Sequence, residues 1–215
     1  GHCYLLESAE DKQQWGRYSF LGYAPTMEIT CTNGSLTIRA GKEEEEKSEQ
    51  VIETRTPETF IRQILDEYKS PRLDAMPPFT GGLVGYFSYD YIKYAEPVLR
   101  PLLEEDTGSR EFRDIDLMLF DRVIVFDHYR QKLILIIGVS LSGSLEENYQ
   151  NALEELSEME RLIRSGAKAD FKPLALEEAF SPCIPQADYC QIVEKAKNYI
   201  YEGDIFQVVL SNPLT

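Results

Sequence analysis

Along much of the first part of the chain, apolar and polar residues alternate with a period of two, the pattern of half-buried strands. Met27, Ile29 and Cys31 alternate with polar neighbours, Asn33-Gly34 intervenes, and Leu36 and Ile38 alternate in turn. An Asn-Gly pair between two such runs predicts a hairpin closed by a type I′ turn, because both residues tolerate positive φ. Residues 117–127 and 132–139 predict a second hairpin, turning through His128-Tyr129-Arg130-Gln131. Gly81-Gly82-Leu83-Val84-Gly85-Tyr86-Phe87 reads as a buried strand whose glycines allow close backbone approach.

The period changes to that of a helix in three places. Thr56-Pro57-Glu58 opens one with a hydroxyl N-cap, a first-turn proline and an acid at the positive end, and Phe60, Ile61, Ile64, Leu65 and Tyr68 share its face. Leu145, Tyr149, Leu153, Leu156, Met159 and Ile163 define a longer amphipathic helix. Asp188 and Gln191 suggest a capping box for a third, with Tyr189, Ile192, Val193, Ala196, Tyr199 and Ile200 as its stripe and Gly203 as its end. Residues 205–211 then predict a strand. Three prolines and little periodicity mark residues 166–185 as a linker, so the expected organisation is a first domain at 1–165 and a second unit beginning at 186–215. The fold class expected is α+β and sheet-rich.

Composition narrows the function classes. A hydrophobic share of 43% supports a real core, and a net charge of −15 argues against nucleic acid as a partner. No apolar run has the length of a membrane span. Cys3, Cys31, Cys183 and Cys190 lack the close spacings of a zinc site and are expected to be reduced, mostly buried thiols of a cytoplasmic protein. Residues 42–49 read as an acidic, solvated loop. No P-loop, GxGxxG, GxSxG or HExxH is present. His128 beside Asp127 could be a base and its orienter, but in a hairpin turn an exposed, inert pair is expected. Asp114, Asp116, Asp121 and residues 104–106 supply carboxylates read as a solvated rim.

Four segments add a more specific reading. Leu5-Leu6-Glu7-Ser8 with Trp15-Gly16-Arg17-Tyr18-Ser19-Phe20-Leu21-Gly22 closely resembles the opening of the anthranilate synthase component I family. Gly81 to Asp90 looks like its glycine-rich core strand. Leu117-Met118-Leu119-Phe120-Asp121 through Val125-Phe126-Asp127-His128 resembles its central hairpin. Gly203-Asp204-Ile205-Phe206-Gln207-Val208-Val209-Leu210-Ser211 is similar to the start of its chorismate-binding domain.

The resemblance implies a sandwich of antiparallel β-sheets flanked by helices, here incomplete. It implies conversion of chorismate to anthranilate with loss of pyruvate, Mg²⁺ as cofactor, ammonia from a glutamine amidotransferase partner, and feedback inhibition by L-tryptophan. The metal-ligating and catalytic residues of that family fall later than this chain reaches, so none is assigned and the chain alone is expected to be inactive. Glu7 and Ser8 match the family's tryptophan-contacting element, where a carboxylate can pair with an α-ammonium group. Arg17 is a weaker candidate for the same pocket. Gln207 is a candidate for lining the active site: related enzymes that add water carry a lysine base there, and a glutamine cannot take that proton. Without the resemblance, a buried glutamine bonded to backbone is as good a reading. Aminodeoxychorismate synthase component I and a non-catalytic amino-acid sensor are the alternatives.

Overall fold

In the computed structural model, residues 2–7, 16–41, 48–103, 112–168, 175 and 179–214 are described. The alternation around Asn33-Gly34 produces strands β3 (Met27–Thr32) and β4 (Ser35–Ala40), with Met27, Ile29, Cys31 and Leu36 buried. Asn33 and Gly34 take φ of 48° and 88°, both in the left-handed region that a two-residue hairpin turn requires. These strands sit inside a five-stranded antiparallel sheet of order β5-β4-β3-β7-β6, with β5 at Ser48–Glu53, β6 at Gly82–Phe87 and β7 at Ile115–Phe120. Ser48 and Glu49, expected in a loop, are the start of β5 and pair with Ala40 and Arg39.

A second antiparallel sheet has the order β1-β2-β8-β9, with β1 at Cys3–Leu6, β2 at Tyr18–Tyr23, β8 at Arg122–Asp127 and β9 at Lys132–Ile137. The expected first arm at 117–127 is therefore two strands, not one. Asp121 lies between β7 and β8 and passes the chain from one sheet to the other, while β8 alone forms the hairpin with β9. Both halves alternate with the same period, which is why the pattern did not reveal the break. Burial along β8 is strictly alternating, and Val123, Val125 and Ile136 form the centre of this sheet's core with Phe20 and Phe79 packed against it.

Helix α1 (Pro57–Glu67) lays Ile61 and Ile64 on the five-stranded sheet, while Leu65 and Tyr68 remain half exposed. Thr56 makes no side-chain cap; Thr54 Oγ1 instead accepts from the Thr56 N–H at 3.0 Å. The glycine-rich strand β6 lies at the sheet's edge, pairing with β7 alone among the described residues, and its second half, Gly85 to Phe87, is exposed, not buried as expected. A Cβ on Gly85 would be driven into the backbone oxygen of Asp116, so the expected close approach is present. The short helix α2 (Ile92–Ala95) follows. Helix α3 (Leu145–Ser165) packs along β9, burying Ala152 and Met159; Ser144 Oγ caps it and Gly166 ends it at φ 60°. No helix among the described residues is long and apolar enough to cross a membrane.

By its contacts the chain divides into units Gly1–Ala167 and Lys168–Thr215. The second holds helix α4 (Gln186–Glu202), which starts directly after Pro185 with no side-chain cap, so Asp188 is a first-turn acid, not an N-cap. Residues 205–211 are not a strand. Described residues give them no pairing partner, and a strand exists only through its neighbour's hydrogen bonds. The segment instead returns to the start of α4. Asn212 bonds both backbone groups of Ile184 at 2.9 and 2.8 Å, and Tyr189 Oη donates to the Leu210 carbonyl at 3.2 Å.

Candidate functional site

Three strand ends of the four-stranded sheet meet where the sequence places its ligand candidates. Leu6, the last residue of β1, pairs with Phe20, and Tyr18, the first of β2, pairs with the last of β8, Asp127. Glu7 and Arg17 are thus the next residues beyond adjoining strand ends. Glu7 is exposed at the rim. Ser8 lies outside the described residues.

Arg17 Nε and Nη2 donate to the two carboxylate oxygens of Asp127 at 3.0 and 2.6 Å, a bidentate pair across a separation of 110 positions. The Asp127 side chain is only 2% exposed. Arg17's hydrogen bonds hold its pKa down to about 2 against the opposing effect of burial, and the Arg130 N–H adds a further bond at 3.0 Å. The same contact raises the Arg17 guanidinium above its ordinary value. That guanidinium also stacks over Tyr18 and Tyr129, 4.7 and 5.5 Å from their ring centroids. Asp127 is therefore neither exposed nor His128's orienter. His128 Nε2 lies 2.8 Å from Ser19 Oγ, and its ring meets Phe126 edge-on.

Chemically, this end of the sheet is a rigid polar rim. Arg17 has two nitrogens committed to Asp127, so its guanidinium is held in place and neutralises the buried acid. Ser19 and His128 supply hydroxyl and imidazole beside it; from sequence His128 reads only as half of an exposed, inert pair with Asp127, and Ser19 is not singled out. Their signal lay in strand register, which needs the partner strand's identity.

A second polar cluster was also missed. Asp114, expected on a solvated rim, is 1% exposed. It pairs with Lys93 Nζ at 3.0 Å and accepts from Tyr94 Oη at 2.8 Å and the Asn33 N–H at 2.8 Å. Burial raises the Tyr94 hydroxyl's pKa and that of the adjacent Cys31 thiol. Cys31 alone of the four thiols is buried; Cys3, Cys183 and Cys190 are exposed and all are free.

Gln207 is exposed in an irregular segment, not on the strand predicted for residues 205–211. Among the described residues no three His, Cys, Asp or Glu side chains are grouped to hold a metal ion. A cleft of about 550 Å³ opens at the opposite end of the same sheet, lined by Tyr68, Asp121, Asn148, Asn151 and Glu155, and contains none of the candidates.

Comparison with known proteins supplies the rest. The family described as chorismate binding enzyme matches residues 1–215. Anthranilate synthase component 1 of Acetivibrio thermocellus is 34% identical over 219 residues, covering 99% of this chain and 42% of that protein. The Acinetobacter calcoaceticus protein of the same name is 34% identical over 96% of this chain and 40% of its own length. The crystal structure of anthranilate synthase component I from Streptococcus pneumoniae superposes with a TM-score of 0.64 at 29% identity, covering 92% of this chain and 41% of that one. The chain thus spans about two fifths of the length of these relatives. Matched along its whole length, it belongs to the chorismate binding enzyme family.

Proposed function

We propose that this chain is the inhibitor-binding part of an enzyme that converts chorismate and ammonia to anthranilate and pyruvate. Mg²⁺ is the cofactor, ammonia comes from a glutamine amidotransferase partner, and the work is done in the cytoplasm. The observation that carries the reading is the polar rim at the end of the four-stranded sheet. There Glu7 is the next residue beyond β1, and Arg17, just before the neighbouring strand β2, is fixed by its pair with Asp127. An exposed carboxylate suits an α-ammonium group, and the tyrosine rings around Arg17 suit an aromatic side chain. Tryptophan carries both. Bound there, it would be coupled to chorismate turnover as a free energy between two separate sites.

Full-length protein given chorismate, Mg²⁺ and ammonium should produce the fluorescence of anthranilate, and tryptophan should suppress it. Accumulation of a non-fluorescent aminodeoxychorismate in its place would overturn the reading, as would anthranilate formation that tryptophan leaves untouched.

A further inference from the structure

Asn-Gly is the dipeptide that loses a side-chain amide most readily in water, because glycine offers no side chain to hinder its own backbone nitrogen. In that reaction the Gly34 nitrogen would attack Asn33 Cγ. The N–Cγ bond forms, the Cγ–Nδ2 bond breaks, and the nitrogen's proton ends on the departing ammonia. Water then opens either C–N bond of the resulting succinimide, giving aspartate or isoaspartate. No oxidant or cofactor is needed.

The folded turn holds each reacting group elsewhere. The Gly34 N–H donates to Tyr94 Oη at 2.8 Å, and Tyr94 Oη donates in turn to Asp114. The Asn33 N–H is bonded to the same carboxylate at 2.8 Å, and Asn33 Oδ1 accepts from Lys93 Nζ at 3.3 Å. The Gly34 carbonyl accepts from the Thr54 N–H at 2.8 Å. Tyr94, Lys93 and Asp114 are all at least 97% buried, with exposures of 2%, 3% and 1%. Attack requires rotating the Asn33–Gly34 peptide, which breaks these bonds together and unseats the pairing of Thr32 with Ser35.

We infer that Asn33 is a latent deamidation site, gated by the Lys93–Tyr94–Asp114 cluster, whose modification makes an opening of this turn irreversible. Isoaspartate adds a methylene to a turn that has room for two residues only. Aspartate sets a second carboxylate beside Asp114.

The test follows amide loss at Asn33 by peptide mapping and mass spectrometry, with isoaspartate scored separately. Full-length protein is held at mildly alkaline pH, folded or unfolded in urea. Folded wild type should lose the amide at least about tenfold more slowly than the unfolded chain, and Tyr94→Phe should recover about tenfold of that rate. Equal rates in folded and unfolded wild type overturn the proposal, as does a folded Tyr94→Phe protein with unchanged rate. Should Tyr94→Phe not fold, hydrogen exchange of the Gly34 amide in wild type decides. Retardation of deamidation that matches the exchange protection supports gating, and fast deamidation behind a protected amide refutes it.

Discussion

Asp127 is ionised in the fold at a pH where the unfolded chain is not. Its folded pKa of about 2 lies below the roughly 3.9 of a free aspartate. A depressed folded value stabilises above the unfolded pKa and is lost as pH falls through the folded one. The stability difference between wild type and Asp127→Asn should therefore be full above about pH 4 and vanish towards about pH 2. Urea midpoints measured across that range check it; a difference independent of pH would refute the role of the charge. Arg17→Ala should move the loss to higher pH, because it removes the largest cause of the depression. On the proposed function, Ser8→Phe in the full-length protein should weaken tryptophan inhibition by roughly ten- to a hundredfold, the cost of one hydrogen bond to a charged group, while leaving uninhibited turnover little changed. An unmoved inhibition midpoint in a folded, active variant would remove Ser8 from the site. Glu7 and Arg17 could be proposed because each lies in a short contiguous segment that carries the resemblance. Asp127's burial was not, since its partner is 110 positions away.

At the level of elements, local signals served wherever the deciding interactions are local. The Asn33-Gly34 hairpin, α1 and α3 follow from turn chemistry and helical period alone. Thr56 and Asp188 show the limit of cap signals: Thr56 takes the N-cap position but its side chain makes no cap bond, and Asp188 falls in the first turn because Pro185 is the N-cap. Edge or centre cannot be read from one strand, so β6 looked buried though among the described residues only β7 pairs with it. Its glycine is nonetheless exacting. Gly85→Ala forces a methyl onto the Asp116 carbonyl of β7, and we expect about 1–3 kcal/mol of destabilisation with β6 loosened. Equilibrium unfolding would show it as a lower midpoint; an unchanged midpoint would mean the backbone shifts without cost.

For the molecule as a whole, the chain by itself should make no anthranilate from chorismate, Mg²⁺ and ammonium. The described residues group no metal ligands, and Gln207 stands exposed. Fluorescence above a heat-killed control would contradict this. In the Lys168–Thr215 unit, Tyr201, Phe206 and Val209 are 90%, 92% and 84% exposed, and α4 buries no residue. Such a surface holds its backbone weakly. Amides of residues 186–211 should exchange quickly in a monomer, or the isolated chain should self-associate. Slow exchange in a proven monomer would count against it.

The passage of the chain through Asp121 from one sheet to the other sets an order of assembly. Strands β3 and β4 can close as soon as they are made, since two residues separate them. Strand β2 must wait for β8, about a hundred positions later, before it has an inner neighbour. Closing so long a loop is slow, and contacts of such separation form late. During synthesis the rim of Glu7, Arg17 and Asp127 therefore cannot take shape until β8 has been made. Until β8 arrives, β1 and β2 are at best an unsupported ribbon, and the Arg17 guanidinium has no buried carboxylate to grip.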